Sequence, residues 1–180
     1  MYQDVAWRKR VVSEMNFFNS YRFLDVATGT GDLALDCANT YENVNVTSVD
    51  FVEEMADKGI EKIGTQNLND RISLTWGDAT NLAFEDSSFD VTAISFGIRN
   101  IPDKVKVLSE MKRVVVENGQ VMILELTTPD PGFWHSTYSF YLNGLLPKIA
   151  KKFTKNSAPY EYLADSIINF PTRKEFLVLM

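Results

Sequence analysis

The segment Phe23-Leu-Asp-Val-Ala-Thr-Gly-Thr-Gly-Asp32 restricts this chain more than any other, because a short apolar run meets a carboxylate and then two glycines before a helix-like stretch. Gly29 and Gly31 allow a backbone to turn tightly out of a strand while its amides approach a ligand closely. The segment reads as a nucleotide-cofactor loop. Asp50 stands about 20 residues further on, the spacing of a ribose-binding acid on the next strand. A strand, a glycine turn and a helix in this order call for an α/β fold with parallel strands.

Taken literally, Gly29, Gly31 and Ala34 fit G-x-G-x-x-G/A, which admits a nicotinamide dehydrogenase. Asp25 argues otherwise. A carboxylate beside the loop repels a pyrophosphate, whereas S-adenosyl-L-methionine brings an ammonium and a sulfonium to that corner. The bland alternative is a glycine-rich turn with no ligand.

Five strands are predicted, at 22 to 26, 44 to 49, 71 to 76, 90 to 95 and 120 to 126, each apolar or alternating and bounded by turn residues. Helices are predicted at 32 to 39, 52 to 63 and 103 to 116. In the last, Val105, Leu108, Met111 and Val115 recur at helical spacing, Pro102-Asp103 starts the helix and Asn118-Gly119 stops it. The alternation predicts a doubly wound, mostly parallel sheet with helices on both faces.

Nothing divides the chain by composition into linked domains, so residues 1–180 are expected to form one domain. Its parts are an N-terminal helical segment (1–20), a cofactor core (21–126) and an aromatic-rich helical segment (127–171). Prolines cut this last part into short pieces. It reads either as a lid over the carboxyl edge of the sheet or as an extension that packs on the core. The lysines at 148, 151, 152 and 155 follow an apolar run. Such a helix can rest on an anionic membrane surface, or its lysines can form a solvated face.

A net charge of -6 disfavours a nucleic-acid substrate, whose phosphates need a positive surface. No stretch is long and apolar enough for a membrane span, and no signal peptide is recognisable, so a cytoplasmic protein is expected. The single Cys37 reads as a small core residue, and the lone His135 as a surface residue and not a base.

Ligands of open parallel sheets sit outside the carboxyl ends of the strands. There the first strand offers Asp25 and the loop Thr28, Gly29, Thr30 and Gly31; the second offers Asp50 and Phe51. Asp50 can accept both ribose hydroxyls, Asp78 the adenine amine, and the Ala79 amide can donate to a ring nitrogen. Helix capping is the plain alternative for Asp50 and Asp78. Beyond the fourth strand, Ser95 leads to Arg99-Asn100, where a methyl acceptor would lie. A guanidinium there can stabilise an oxyanion, or simply pair with a carboxylate.

These residues together resemble the UbiE-type ubiquinone/menaquinone biosynthesis C-methyltransferases, a family of class I S-adenosylmethionine-dependent enzymes with a Rossmann-like fold. Asp25 to Asp32 is similar to the first cofactor motif, Val49 to Met55 to the second and Gly77-Asp78-Ala79 to the adenine motif. Ser95-Phe-Gly-Ile-Arg-Asn100 and Tyr160 to Pro171 are narrower signatures. The resemblance implies that Thr30, Asp50, Asp78, Ala79 and Ser95 bind the cofactor and that Arg99 and Asn100 face a polyprenylated quinol. Peripheral membrane contact, from the lysine-bearing segment, and a homodimer are further partners to consider. The family also carries a longer N-terminal helical region before a tryptophan-arginine pair like Trp7-Arg8, and a closing strand pair that is not expected within these residues.

The activity so implied is methyl transfer to a quinol ring carbon, with Arg99 stabilising the phenolate and Asn100 orienting the ring. A small-molecule or tRNA methyltransferase sharing only the cofactor core, and a cofactor-binding module without catalysis, are the competing readings.

Overall fold

The computed structural model describes residues 3–132, 137–138 and 158–180. Two compact units make up the chain, Met1–Glu125 and Leu126–Met180.

The first unit runs α1 (Gln3–Ser13), β1 (Arg22–Val26), α2 (Asp32–Thr40), β2 (Asn45–Asp50), α3 (Glu53–Thr65), β3 (Ile72–Trp76), β4 (Phe89–Ser95), a 3-10 turn (Ile98–Asn100), α4 (Lys104–Val114) and β5 (Val115–Leu124). All five strands are parallel, in the order β3-β2-β1-β4-β5. The chain thus builds outward from β1 through β2 to β3, then returns to β4 on the other side. Right-handed crossovers put α2 and α3 on one face and α4 on the other. The reversal lies between β1 and β4, which opens a crevice at their carboxyl ends.

Covering on both faces explains why β4 is buried at every position but its last, while the edge strand β3 is largely exposed. Phe23 and Leu24 point to opposite faces and are both fully buried. Each such side chain contributes about 1.5–3 kcal/mol. A core of α1, α2 and strand residues forms around Phe23, Leu33, Val46 and Val91.

Four strands fall within a residue of their predicted bounds, and the fifth differs for a physical reason. Helix α4 ends at Val114, and Asn118-Gly119, expected to stop it, lies inside β5. Phe89 pairs with Val115 but Val91 pairs with Gln120, so the intervening residues of β5 bulge out of the ladder. Asn118 takes a φ of 63°, and a Cβ on Gly119 would stand 2.6 Å from the Asp90 carbonyl oxygen. Glycine lets the bulge close on β4. The buried stripe of α4 is accordingly Val107, Leu108, Met111 and Val114, while Val105 faces solvent.

At the amino end of the sheet, Asp90 is fully buried yet accepts hydrogen bonds from the Asn19, Ser20 and Arg22 amides and the Ser20 hydroxyl. Burial alone would raise its pKa, but these donors pull it below the ordinary value. Cys37 is a buried free thiol, pushed up by desolvation, and carries no chemistry.

In the second unit, α5 (Ala158–Ile168) and α6 (Arg173–Leu179) flank Pro171. Thr172 and Glu175 form a capping box at the start of α6, which turns the terminal Phe-Leu-Val-Leu into helix. Ala164 and Ile167 pack with Leu126, Tyr138 and Leu163. The lysines at 148, 151, 152 and 155, His135, and the aromatics Phe133, Trp134, Phe140, Tyr141 and Phe153 lie outside the described residues. Among the described residues, no helix is long and apolar enough to cross a membrane.

Candidate active site

The carboxyl ends of β1, β2 and β4 and the residues after β3 surround a cavity of about 740 Å³. Register explains why they meet. Asp25 is level with Ser48 of β2 and Ala93 of β4, so the loops after three adjacent parallel strands leave the sheet together.

The loop after β1 is held from both sides. The Thr28 amide donates to the Val49 carbonyl at 3.0 Å, and the Gly31 amide to the Thr28 carbonyl at 3.0 Å. Gly29 and Gly31 take φ of 58° and 77°, a region that side chains disfavour, and Gly31 caps α2. Asp50 Oδ2 accepts from the Gly29 amide at 2.7 Å, and Oδ1 from the Val52 amide at 2.9 Å. Each oxygen keeps a further lone pair for a ligand. Asp50 therefore both shapes the loop and faces the cavity.

Asp25 is almost fully buried. Its Oδ2 accepts the Thr28 hydroxyl at 2.5 Å, while Oδ1 has no hydrogen-bond partner among the described residues. Desolvation pushes its pKa up to about 7, the Thr28 hydroxyl and the Ala34 amide oppose this, and the negative Asp50 and Asp32 add to it. The Ser95 hydroxyl, at the cavity wall, is a second buried polar group without a hydrogen-bond partner among the described residues. Asp78 Oδ1 is engaged by the Thr80 amide and hydroxyl, both at 2.8 Å, in a turn and not the helix cap foreseen as the alternative.

Phe51 lines the cavity and stands beside Trp76, ring centroids 5.6 Å apart, both rings exposed. Trp76 Nε1 donates to the Phe51 carbonyl. This aromatic ledge continues the wall past Met55.

Of the residues singled out in the sequence, Asp25, Thr28, Gly29, Thr30, Asp50, Phe51, Asp78, Ala79, Ser95 and Asn100 line this one cavity. Gly31 does not, since its amide is used within the turn. Nor does Arg99. Its guanidinium pairs with Glu125 Oε1 at 2.5 Å and donates to the Phe96 carbonyl, and its amide reaches Glu125 Oε2 at 3.2 Å. Only 11% and 4% of these side chains are exposed, so Glu125 offsets the charge of the arginine expected to face an acceptor. Phe96 holds a positive φ of 56° in the turn this pair fastens.

Sequence reasoning missed Arg8 and Glu125. Arg8 lines the cavity from α1. Glu125 lies one residue past β5, and the strand-end rule applied to the fifth strand would have found it.

Five parallel strands in this order with a cavity at their carboxyl ends constitute the class I, Rossmann-like methyltransferase fold. The YcgJ protein from Bacillus subtilis is similar over 99% of this chain and 66% of its own, with a TM-score of 0.73 and 18% identity, a likeness of fold alone. The chain belongs to the ubiE/COQ5 methyltransferase family, whose model matches residues 1–180. It is 42% identical over 178 residues to the ubiquinone/menaquinone biosynthesis C-methyltransferase UbiE of Citrifermentans bemidjiense, covering 98% of this chain and 75% of that protein. It is 37% identical to a demethylmenaquinone methyltransferase of Staphylococcus aureus, covering 96% and 71%.

Proposed function

We propose that the protein transfers a methyl group from S-adenosylmethionine to a ring carbon of a polyprenylated quinol in quinone biosynthesis. The observation that carries this reading is the cavity wall. Asp25, Asp50 and Asp78 surround one space with the hydroxyl of Ser95, and Asn100 stands on the same wall.

The residues present fit that cofactor. Asp25 lacks a partner at Oδ1, and a cationic ligand nearby offsets its charge. The remaining lone pairs of Asp50 suit the ribose hydroxyls, the Asp78-Ala79 pair suits adenine, and Phe51 and Met55 offer an apolar wall. Volume is ample for a cofactor of this size.

S-adenosylmethionine held by Asp25, Asp50 and Asp78 would supply an electrophilic methyl for a ring carbon, with a thioether as leaving group and the ring proton released to water. The protein has to favour ionisation of a ring hydroxyl, whose pKa is about 10, since the phenolate makes the carbon nucleophilic. Asn100, on the cavity wall, is the candidate to orient the ring. Arg99 acts through it: the Arg99–Glu125 pair is neutral as a whole and fixes the turn that presents Asn100. Peripheral contact with a bilayer, where a polyprenyl tail resides, belongs to this reading.

Incubation with labelled cofactor and, separately, demethylmenaquinol and the benzoquinol precursor of ubiquinone tests the proposal. Methylation of either quinol is the expected outcome and identifies the acceptor. Cofactor binding without transfer to either would sink it.

A further inference from the structure

We infer that Arg8 reads the carboxylate at the amino-acid end of the cofactor, which makes α1 part of the cofactor site. This rests on the cofactor reading above. Among the described residues lining the cavity, the charged side chains are Asp25, Asp32, Asp50, Asp78 and Arg8. Four carboxylates account for the cationic and hydrogen-donating parts of the ligand. They also repel its one anionic group, and Arg8 is the single lining residue of opposite sign.

The geometry around Arg8 is that of a preset fork. Its Nε donates to Asp36 Oδ2 on α2 and its Nη1 to Asp4 Oδ2 within α1, both at 3.2 Å. Its side chain is only 13% exposed. A guanidinium has five N–H donors, so the Nη2 edge remains for a second carboxylate. Asp32, the nearest obstacle to an incoming anion, is paired with Lys62 Nζ at 2.6 Å, and that amine also donates to Thr30 at 3.1 Å. Trp7 lies against Phe96, ring centroids 6.3 Å apart, and steadies α1 beside the cavity wall.

A purely mechanical role, in which Arg8 only ties α1 to α2, makes a different prediction. Calorimetry with S-adenosylmethionine and with its decarboxylated analogue, which keeps the sulfonium and the ammonium, separates the two. The wild-type protein is expected to bind the complete cofactor about 10- to 100-fold more tightly, the scale of a charge-assisted bidentate contact. Arg8→Met is expected to bind both ligands within about twofold of each other, its loss confined to the complete cofactor. Retained binding of the analogue also shows that the variant is folded.

Equal weakening of both ligands in Arg8→Met, or no preference in the wild-type protein, overturns the inference while leaving the cofactor reading intact. If Arg8→Met does not fold, the wild-type preference decides. Binding of neither ligand by the wild-type protein overturns both.

Discussion

Two buried aspartates on neighbouring strands show how one side chain is put to two uses. Asp90, near the amino end of β4, accepts four hydrogen bonds. Asp25, near the carboxyl end of β1, accepts one from Thr28 and leaves Oδ1 without a partner. Both side chains are almost wholly excluded from solvent, but Asp25 lies far deeper among protein atoms, so depth of burial and number of donors separate the two together. Four donors outweigh the shallower burial of Asp90 and pull it below its ordinary pKa, whereas deeper burial with fewer donors raises Asp25 to about 7. Asp90 is satisfied by the fold, whereas Asp25 keeps Oδ1 without a hydrogen-bond partner among the described residues.

Exchanging the two carboxylates for amides breaks the comparison most directly. Asp90→Asn replaces an acceptor of four bonds with a group that also carries donors, and should lower unfolding free energy by about 3 kcal/mol while cofactor affinity stays within about twofold. Asp25→Asn should do the reverse, weakening cofactor binding about 100-fold. Urea titration and calorimetry on each variant read the two effects. A large loss of stability in Asp25→Asn, or of affinity in Asp90→Asn, would show that the ends of the sheet are not specialised.

Stability of the ligand-free protein sharpens the contrast through its sign. The Asp25 pKa is raised above the unfolded value of 3.8, so its stabilising contribution is present below pH 3.8 and is lost as pH rises through about 7. Asp90 is depressed. Its contribution is present above the unfolded pKa and lost as pH falls through the folded one. At pH 8 Asp25→Asn should therefore stabilise the ligand-free protein by roughly 2 kcal/mol, the same change that weakens cofactor binding. A lower melting temperature at pH 8 would contradict this.

The same contrast bears on what the residues alone reveal. Asp25, Asp50 and Asp78 were legible because parallel strands must bring their carboxyl ends together, and the glycine loop marks the first of them. Asp90 was read only as the start of a strand. Its donors sit 68 to 71 residues away in sequence, and no local pattern announces them. Arg8 has the same difficulty, since its partner Asp36 lies 28 residues on. The start of β5 was misjudged because Asn118-Gly119 looks like a helix stop; a register shift against β4 decides otherwise. Local chemistry identified the loop and the strand ends, while pairings distant in sequence decided which acid is silent.

Cofactor affinity should depend on pH in a way that belongs to Asp25. A cation prefers the ionised carboxylate, so binding should weaken about fivefold between pH 7 and pH 6 if the group titrates near 7. Asp25→Asn should be flat over that interval. Above pH 8 the ammonium of the ligand itself begins to titrate, which limits the useful range. A wild-type profile as flat as that of the variant would remove Asp25 from ligand electrostatics.

The smallest effect comes from Thr28, whose hydroxyl donates to Asp25. Thr28→Val keeps the shape of the side chain and removes the hydroxyl that meets Oδ2 at 2.5 Å. That bond favours the charged form, so its loss should move the midpoint of the affinity profile to higher pH. A hydrogen bond to a charged group contributes about 1.5–3 kcal/mol, but water entering the cavity replaces part of it, which leaves a shift of about one pH unit. Near pH 7 this amounts to about a fivefold loss of affinity, which should shrink to about twofold by pH 8. If its deficit were instead the same at every pH, Thr28 would be holding the loop in shape and not setting the charge of Asp25.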